Sequence, residues 1–163
     1  MTLSTSRLKL IPQSRTETLA WIDQQPPDVR AQLSPQWLDL VRQAPESAPY
    51  IHGFVIWLAA TGQKIGSCGF KGPPTPDGTV ELAYGIAADQ QNQGYATEAA
   101  AALAEYALHD PAVRRVIAHT LEKTNASARV LTKCGFVCTG QVVDPEDGLV
   151  WRWERGGGDR GEG

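Results

Sequence analysis

The sequence predicts an α/β (α+β) domain built on one mixed sheet of about seven strands with about four helices, and three stretches predict it. Residues 79–120 read as strand, glycine-containing turn, helix and strand, the order that joins two parallel neighbours through a right-handed crossover. Residues 50–70 hold two β-rich runs around Thr61-Gly62-Gln63, and 136–154 hold two more around a polar loop at 144–148. Hairpins on either side of a parallel pair make the sheet mixed.

In chain order, Arg7-Leu8-Lys9-Leu10-Ile11 is a short strand ended by Pro12. Residues 16–24 form a short helix with Leu19 and Ile22 on one side and Trp21 nearby, stopped by Pro26-Pro27. A second helix starts at Ser34-Pro35, serine as cap and proline in the first turn, with Trp37, Leu38 and Val41 facing inward. Residues 50–59 are a strand rich in β-formers, and 64–70 its partner, whose glycines allow close approach of a strand or ligand or else mark a bulge. A proline-rich loop at 73–78 returns the chain into the strand of Val80, Leu82, Tyr84 and Ile86, which alternate with smaller or polar residues. From Gly94 to His109 the chain is helical, and alanines at 96, 99, 100, 104 and 107 give it a thin face toward the sheet; Asp110-Pro111 ends it. Residues 116–120 are the second strand of the parallel pair. A short helix follows, with Asn125 or Ser127 as cap and Gly135 as terminator, and then the closing hairpin.

The junction at 81–97 organises the chain. Gly94 permits positive φ, and the amides at the helix entrance have no partners inside the helix while the helix dipole places positive charge beside them. Such a junction suits a phosphate. A nucleoside-triphosphate loop would need Gly-Lys-Ser/Thr, which is absent, and a dinucleotide fingerprint would need three glycines where only one stands. An ordinary strand–turn–helix is the structural alternative.

The residues Gln91-x-x-Gly94-x-Ala96 are similar to the Gln/Arg-x-x-Gly-x-Gly/Ala signature of the GNAT superfamily of N-acetyltransferases, where it holds the pyrophosphate of coenzyme A. Downstream, Asn125, Ser127 and the pair Gly135-Phe136 resemble the pattern of the RimJ/RimL branch, as does the opening Arg7-Leu8-x-Leu10 strand, although the arginine usual after it is here Ile11. The resemblance covers residues 79–136 well and the flanks loosely. It implies the GNAT fold, with the central parallel strands splayed so that coenzyme A threads the gap. It implies acetyl-CoA as co-substrate and an amine acceptor, either a protein N-terminal α-amine or a small amine, and the two helices with Trp21 and Trp37 are where the family varies to fit that acceptor. Both tryptophans can equally be packing residues. A monomer or a homodimer is expected. The alternative from another class is an acyl-CoA-binding sensor without turnover.

The resemblance also distributes roles. Gln91, Asn92, Gln93, Gly94, Tyr95, Ala96 and Thr97 would hold the pyrophosphate, the backbone of Ile86 and Ala88 would pair with the pantetheine arm, and Asn125 would reach that arm from the later helix. The loop departs from the usual pattern at Ala88, Asn92 and Gln93, the last removing a common cation. Glu81 is the expected catalytic base, or else a strand residue paired with a cation; Glu146 in the closing loop is the second candidate. The tyrosine that many members use as acid would stand at position 131, here leucine, so Ser127 takes that role or caps the helix, or does both. His52 and His119 read as strand residues, and His109 as a helix-terminal cation.

The whole chain sets bounds. Its 163 residues suit one domain at 1–155 and a glycine-rich tail at 156–163, expected to be disordered. With a net charge of −3 and no basic tract, nucleic-acid binding is not expected. Three cysteines without Cys-x-x-Cys spacing read as reduced thiols, not a metal site. The start lacks a signal-peptide core, and no run reaches membrane-spanning length, so the cytoplasm is expected and no membrane partner is.

Overall fold

Alternation along each strand decides which side chains form the core. The computed structural model describes residues 2–145 and 147–156. After a two-residue strand β1 (Leu3–Ser4), β2 (Leu8–Pro12) buries Leu8 and Leu10 completely and leaves Lys9 and Ile11 exposed. β3 (Phe54–Leu58), β4 (Lys64–Phe70) and β5 (Thr79–Ile86) continue the antiparallel order, with Phe54, Ile56, Ile65, Val80 and Leu82 in the same apolar cluster. β6 (Arg115–Thr120) buries Val116, Ala118 and Thr120 and turns Ile117 and His119 to the other face. Together with β7 (Val137–Asp144) and β8 (Gly148–Gly156) they form an eight-stranded sheet in the order β1-β2-β3-β4-β5-β6-β8-β7. Every neighbouring pair is antiparallel except β5 and β6.

The crossover between those two is helix α5 (Tyr95–Leu108), whose Ala99, Ala100, Leu103, Ala104 and Ala107 are fully buried. Small side chains let the helix axis sit close to the sheet. The shorter α6 (Ala126–Lys133) packs against α5 and β6 through Ala128 and Leu131. Between β2 and β3 lie α1 (Arg15–Gln24), α2 (Pro27–Ala31), α3 (Pro35–Gln43) and α4 (Pro49–His52). α1 carries a complete capping box, with Ser14 and Glu17 each bonding the other's backbone N–H. The Ser34 hydroxyl caps α3 on the Trp37 amide.

The architecture is that of the expected fold, with eight strands and, among the described residues, six helices. Three expectations are corrected. Pro27 opens helix α2 instead of only closing α1, because a proline satisfies the first helical position as well as it ends a run. Residues 50–52 are helical, so β3 starts at Phe54: Pro49 stands at the first helical position, and Tyr50 and Ile51 follow it despite their β preference. Gly156 closes β8 and is not part of the tail; residues 157–163 lie outside the described residues.

Close approach explains one strand glycine. A Cβ on Gly66 in β4 would fall 2.1 Å from the Gly85 carbonyl oxygen of β5, whereas one on Gly85 meets nothing within 4 Å. Gly66→Ala is therefore expected to cost about 1–3 kcal/mol, lowering the melting temperature by roughly 2–4 °C for each kcal/mol. Gly85→Ala should stay near wild type in the same thermal melts.

Candidate active site

Strands β5 and β6 pair only from Thr79↔Arg115 to Glu81↔Ile117. Beyond that point β5 stays with β4 as far as Ile86↔Gly66, and β6 stays with β8 as far as Thr120↔Trp151. The two parallel strands thus diverge, and β5 carries a bare backbone edge along the gap. The Gln91 side-chain amide donates to the Ile86 carbonyl at 3.0 Å across the turn that follows.

The turn leads into α5 through a single 3-10 turn at Ala88–Gln90, then Asn92 (φ 64) and Gly94 (φ 85), both in the left-handed region. Gly94 supplies no side-chain cap, so the first amides of α5 keep their donors free. Glu98, in that same first turn, would repel an anion, but its carboxylate is fully engaged. It accepts from the Arg7 backbone and from Arg7 Nε, each at 2.9 Å, and from the Thr5 hydroxyl. Arg7 further donates to the Gln93 carbonyl at 2.9 Å and lies over the Tyr95 ring. Burial pushes the Glu98 carboxyl up, but the Thr5 and Arg7 donors outweigh it and hold it below its usual range.

A cavity of about 460 Å³ opens between this turn, the end of β5 and α6. Tyr84, Gly85, Ile86, Gln91, Asn92, Gly94, Tyr95, Ala96, Thr97 and Ser127 line it, and Arg129 and Lys133 join them from α6. Those cations are four residues apart and share one helix face. Ser127 is exposed. The Tyr84 hydroxyl lies 3.5 Å from the Ser127 carbonyl, and burial pushes its phenol up, so it stays neutral.

A second cavity, of about 730 Å³, shares Tyr84, Gly85 and Ile86 with the first. Its walls include Trp21 from α1, Trp37 from α3, Ile51 and His52 from α4, and residues 64–70 of β4. Ala83 also lines it, and Glu81 lies two residues back on the same face of β5. The Glu81 Oε2 atom is 2.9 Å from His119 Nδ1 and 3.0 Å from Lys71 Nζ. His119 would stand opposite Ala83 if the parallel register continued past Glu81, which places it at the mouth of the splay.

A family description, acetyltransferase (GNAT) domain, matches residues 6–137. The chain belongs to the GNAT acetyltransferase family. A curated relative, uncharacterized N-acetyltransferase YjdG of Bacillus subtilis (strain 168), is 30% identical over 88 residues, which make up 52% of either chain. The chain spans about half the length of this relative. A Bordetella pertussis structure, assigned by name to the GnaT acetyltransferases, superposes with a TM-score of 0.68 at 25% identity, covering 95% of this chain and 99% of that one. RimL, a ribosomal L7/L12 alpha-N-protein acetyltransferase solved with coenzyme A, also gives 0.68, at 16% identity over 96% and 98% of the two chains, and shows the shared fold.

Within this GNAT fold the structure gathers most of the expected residues and separates a few. Ala88, Gln93 and Asn125 do not line the first cavity: Ala88 is exposed in the 3-10 turn, the Gln93 carbonyl receives Arg7, and the Asn125 side chain caps α6 by accepting from the Ala128 amide at 2.9 Å. The turn leaves the strand at Ile86, so Ala88 does not extend it. Glu81 is paired with a cation, as its structural alternative foresaw, and also with His119, which alternation put on a strand without revealing its partner. His52 sits at the end of helix α4, not in a strand. Glu146 lies outside the described residues. Among the described residues no group of three His, Cys, Asp or Glu side chains could hold a metal ion, and no helix is long and apolar enough to cross a membrane.

Because the Glu98 carboxyl is depressed in the folded state, its stabilisation is complete above the ordinary glutamate range and lost as pH falls through the depressed value. Glu98→Gln should therefore lower stability at pH 7 by about 1–2 kcal/mol. The deficit should shrink toward zero in acid, which urea titrations at both pH values would show.

Proposed function

We propose that the protein transfers the acetyl group of acetyl-CoA to a primary amine by direct attack in a ternary complex. The observation that carries this reading is the meeting of the two cavities at Tyr84, Gly85 and Ile86, on the bare edge of β5. A thioester lying along the first cavity would present its carbonyl there to an amine arriving through the second.

Binding falls to the α5 entrance. Its free amides and dipole suit the pyrophosphate, and Arg129 with Lys133 replaces the positive charge that Gln93 does not provide. Unpaired β5 backbone along the gap would pair with the pantetheine amides as an added strand. An amide on that edge would stabilise the developing oxyanion, a contribution of about 3 kcal/mol per donor.

The amine nitrogen attacks the thioester carbon, the carbon–sulfur bond breaks, and the amine loses a proton. A carboxylate only accepts, so His119 Nδ1 donates to Glu81 and leaves Nε2 with its lone pair for that proton. Lys71 offsets the Glu81 charge. The exposed Ser127 hydroxyl donates to the departing sulfur and is resupplied from water. Cys68 lines the second cavity, but burial pushes its thiol far up and keeps it from acting as a nucleophile. The transfer needs no covalent enzyme intermediate, because alignment of amine and thioester supplies much of the rate.

Thiol release from acetyl-CoA with a panel of amines tests the reading. Removing the proton acceptor by His119→Asn, or the carboxylate that orients it by Glu81→Gln, should lower kcat by about 10²–10⁴-fold, and Ser127→Ala should lower it too. Acetyl-CoA should still raise the melting temperature of all three variants. Equal kcat in all three would overturn the assigned roles, and the loss of the thermal shift in the wild type would overturn the fold-based reading itself.

A further inference from the structure

Resting on the acetyl-transfer reading, we infer that the acceptor is a primary amine flanked within a few bonds by an aromatic or branched apolar group, and that polycationic amines are excluded. The second cavity, of about 730 Å³, is of the size that takes small ligands or the end of a peptide. Trp21, Trp37 and Ile51 give it its accessible apolar surface, and Phe54 and Ile65 behind them are core residues.

The two tryptophans differ in a way that matters. Trp37 donates its indole N–H to the Ile51 carbonyl at 2.9 Å, which fixes its ring as part of the wall. Trp21 is 37% exposed, a large apolar surface standing at a cavity rim with room for a partner. A flat or branched apolar group beside the amine covers that surface.

Charge points the same way. Among the described residues lining this cavity there is no aspartate or glutamate, and the one full cation is Lys64. Of the nearby carboxylates, Glu81 is held by Lys71 and His119 and Glu46 by the Thr16 hydroxyl and Arg15, while Asp144 and Asp147 act on Lys71. A polyamine or aminoglycoside would bring several ammonium groups against a wall with no counter-charge and one lysine, which desolvation makes unfavourable.

Steady-state CoA release with 2-phenylethylamine, the peptide Phe-Gly-Gly, spermidine and kanamycin tests this, together with calorimetric binding of the same four to the CoA-saturated protein. The aromatic amines should exceed both polycations in kcat/KM by at least about tenfold. Trp21→Ala should raise their KM with kcat little changed, and Trp21→Phe should restore it. Preference for the peptide over the free amine would assign a protein N-terminus, and the reverse a small molecule. Spermidine or kanamycin in the lead, or an unchanged KM in Trp21→Ala, would overturn the inference and leave acetyl transfer standing. Binding of the aromatic amines without turnover would support the cavity's chemistry and overturn acetyl transfer. Neither turnover nor heat with them would overturn both.

Discussion

A parallel pair that closes for three residues and then parts is the constraint on which the rest depends. Backbone amides and carbonyls left in a gap need partners, and the ends of β5 and β6 are each held open by a strand on the far side, β4 in one case and β8 in the other. Neither strand can swing in to close the gap without breaking its own ladder. The opening is therefore built into the sheet, and Gln91 covers one carbonyl at its end. Both cavities lie at that opening because it is where strand edge, helix entrance and the α1–α4 segment come together.

Electrostatics then completes what the backbone begins. The α5 entrance is positive by its dipole, yet its first turn carries a glutamate, and Arg7 from the sheet's far edge neutralises it while holding the Gln93 carbonyl. One arginine thus ties the turn before β2 to the entrance of α5 and removes a charge that would oppose an anion there. Arg129 and Lys133 bring cations to the same cavity from α6. At the end of the paired stretch the Glu81 carboxylate is shared by a lysine and a histidine, which balances its charge and orients the imidazole.

The crossover unit was legible because its signals are local. Alternation from Val80 to Ile86, one glycine at the turn and an alanine-rich run specify strand, turn and helix without reference to the rest of the chain. The helices at 27–31 and 49–52 were not, since a four- or five-residue helix has no periodicity to read and proline both starts and stops helices. The partnership of Glu81 with His119 and Lys71 was hidden for a different reason. It joins β5 and β6 to the residue just after β4, and only the register of the parallel pair brings 119 level with 83. That register, taken with the alternation on β6, is the signal from which the pair could have been read. The contribution of Arg129 and Lys133 was readable as a cationic face of a short helix, but the cavity that gives the face a purpose exists only in three dimensions. The Tyr84 hydroxyl was overlooked because its ring read simply as an apolar strand position.

The central claim is that coenzyme A lies in the gap opened by the parting of β5 and β6. Amide chemical-shift mapping on addition of CoA tests it most directly. The account predicts perturbations concentrated at residues 84–97 and 126–133, with the paired stretch at 79–81 and the edge strand β7 little affected. Perturbations centred elsewhere, or none at saturating CoA, would contradict it.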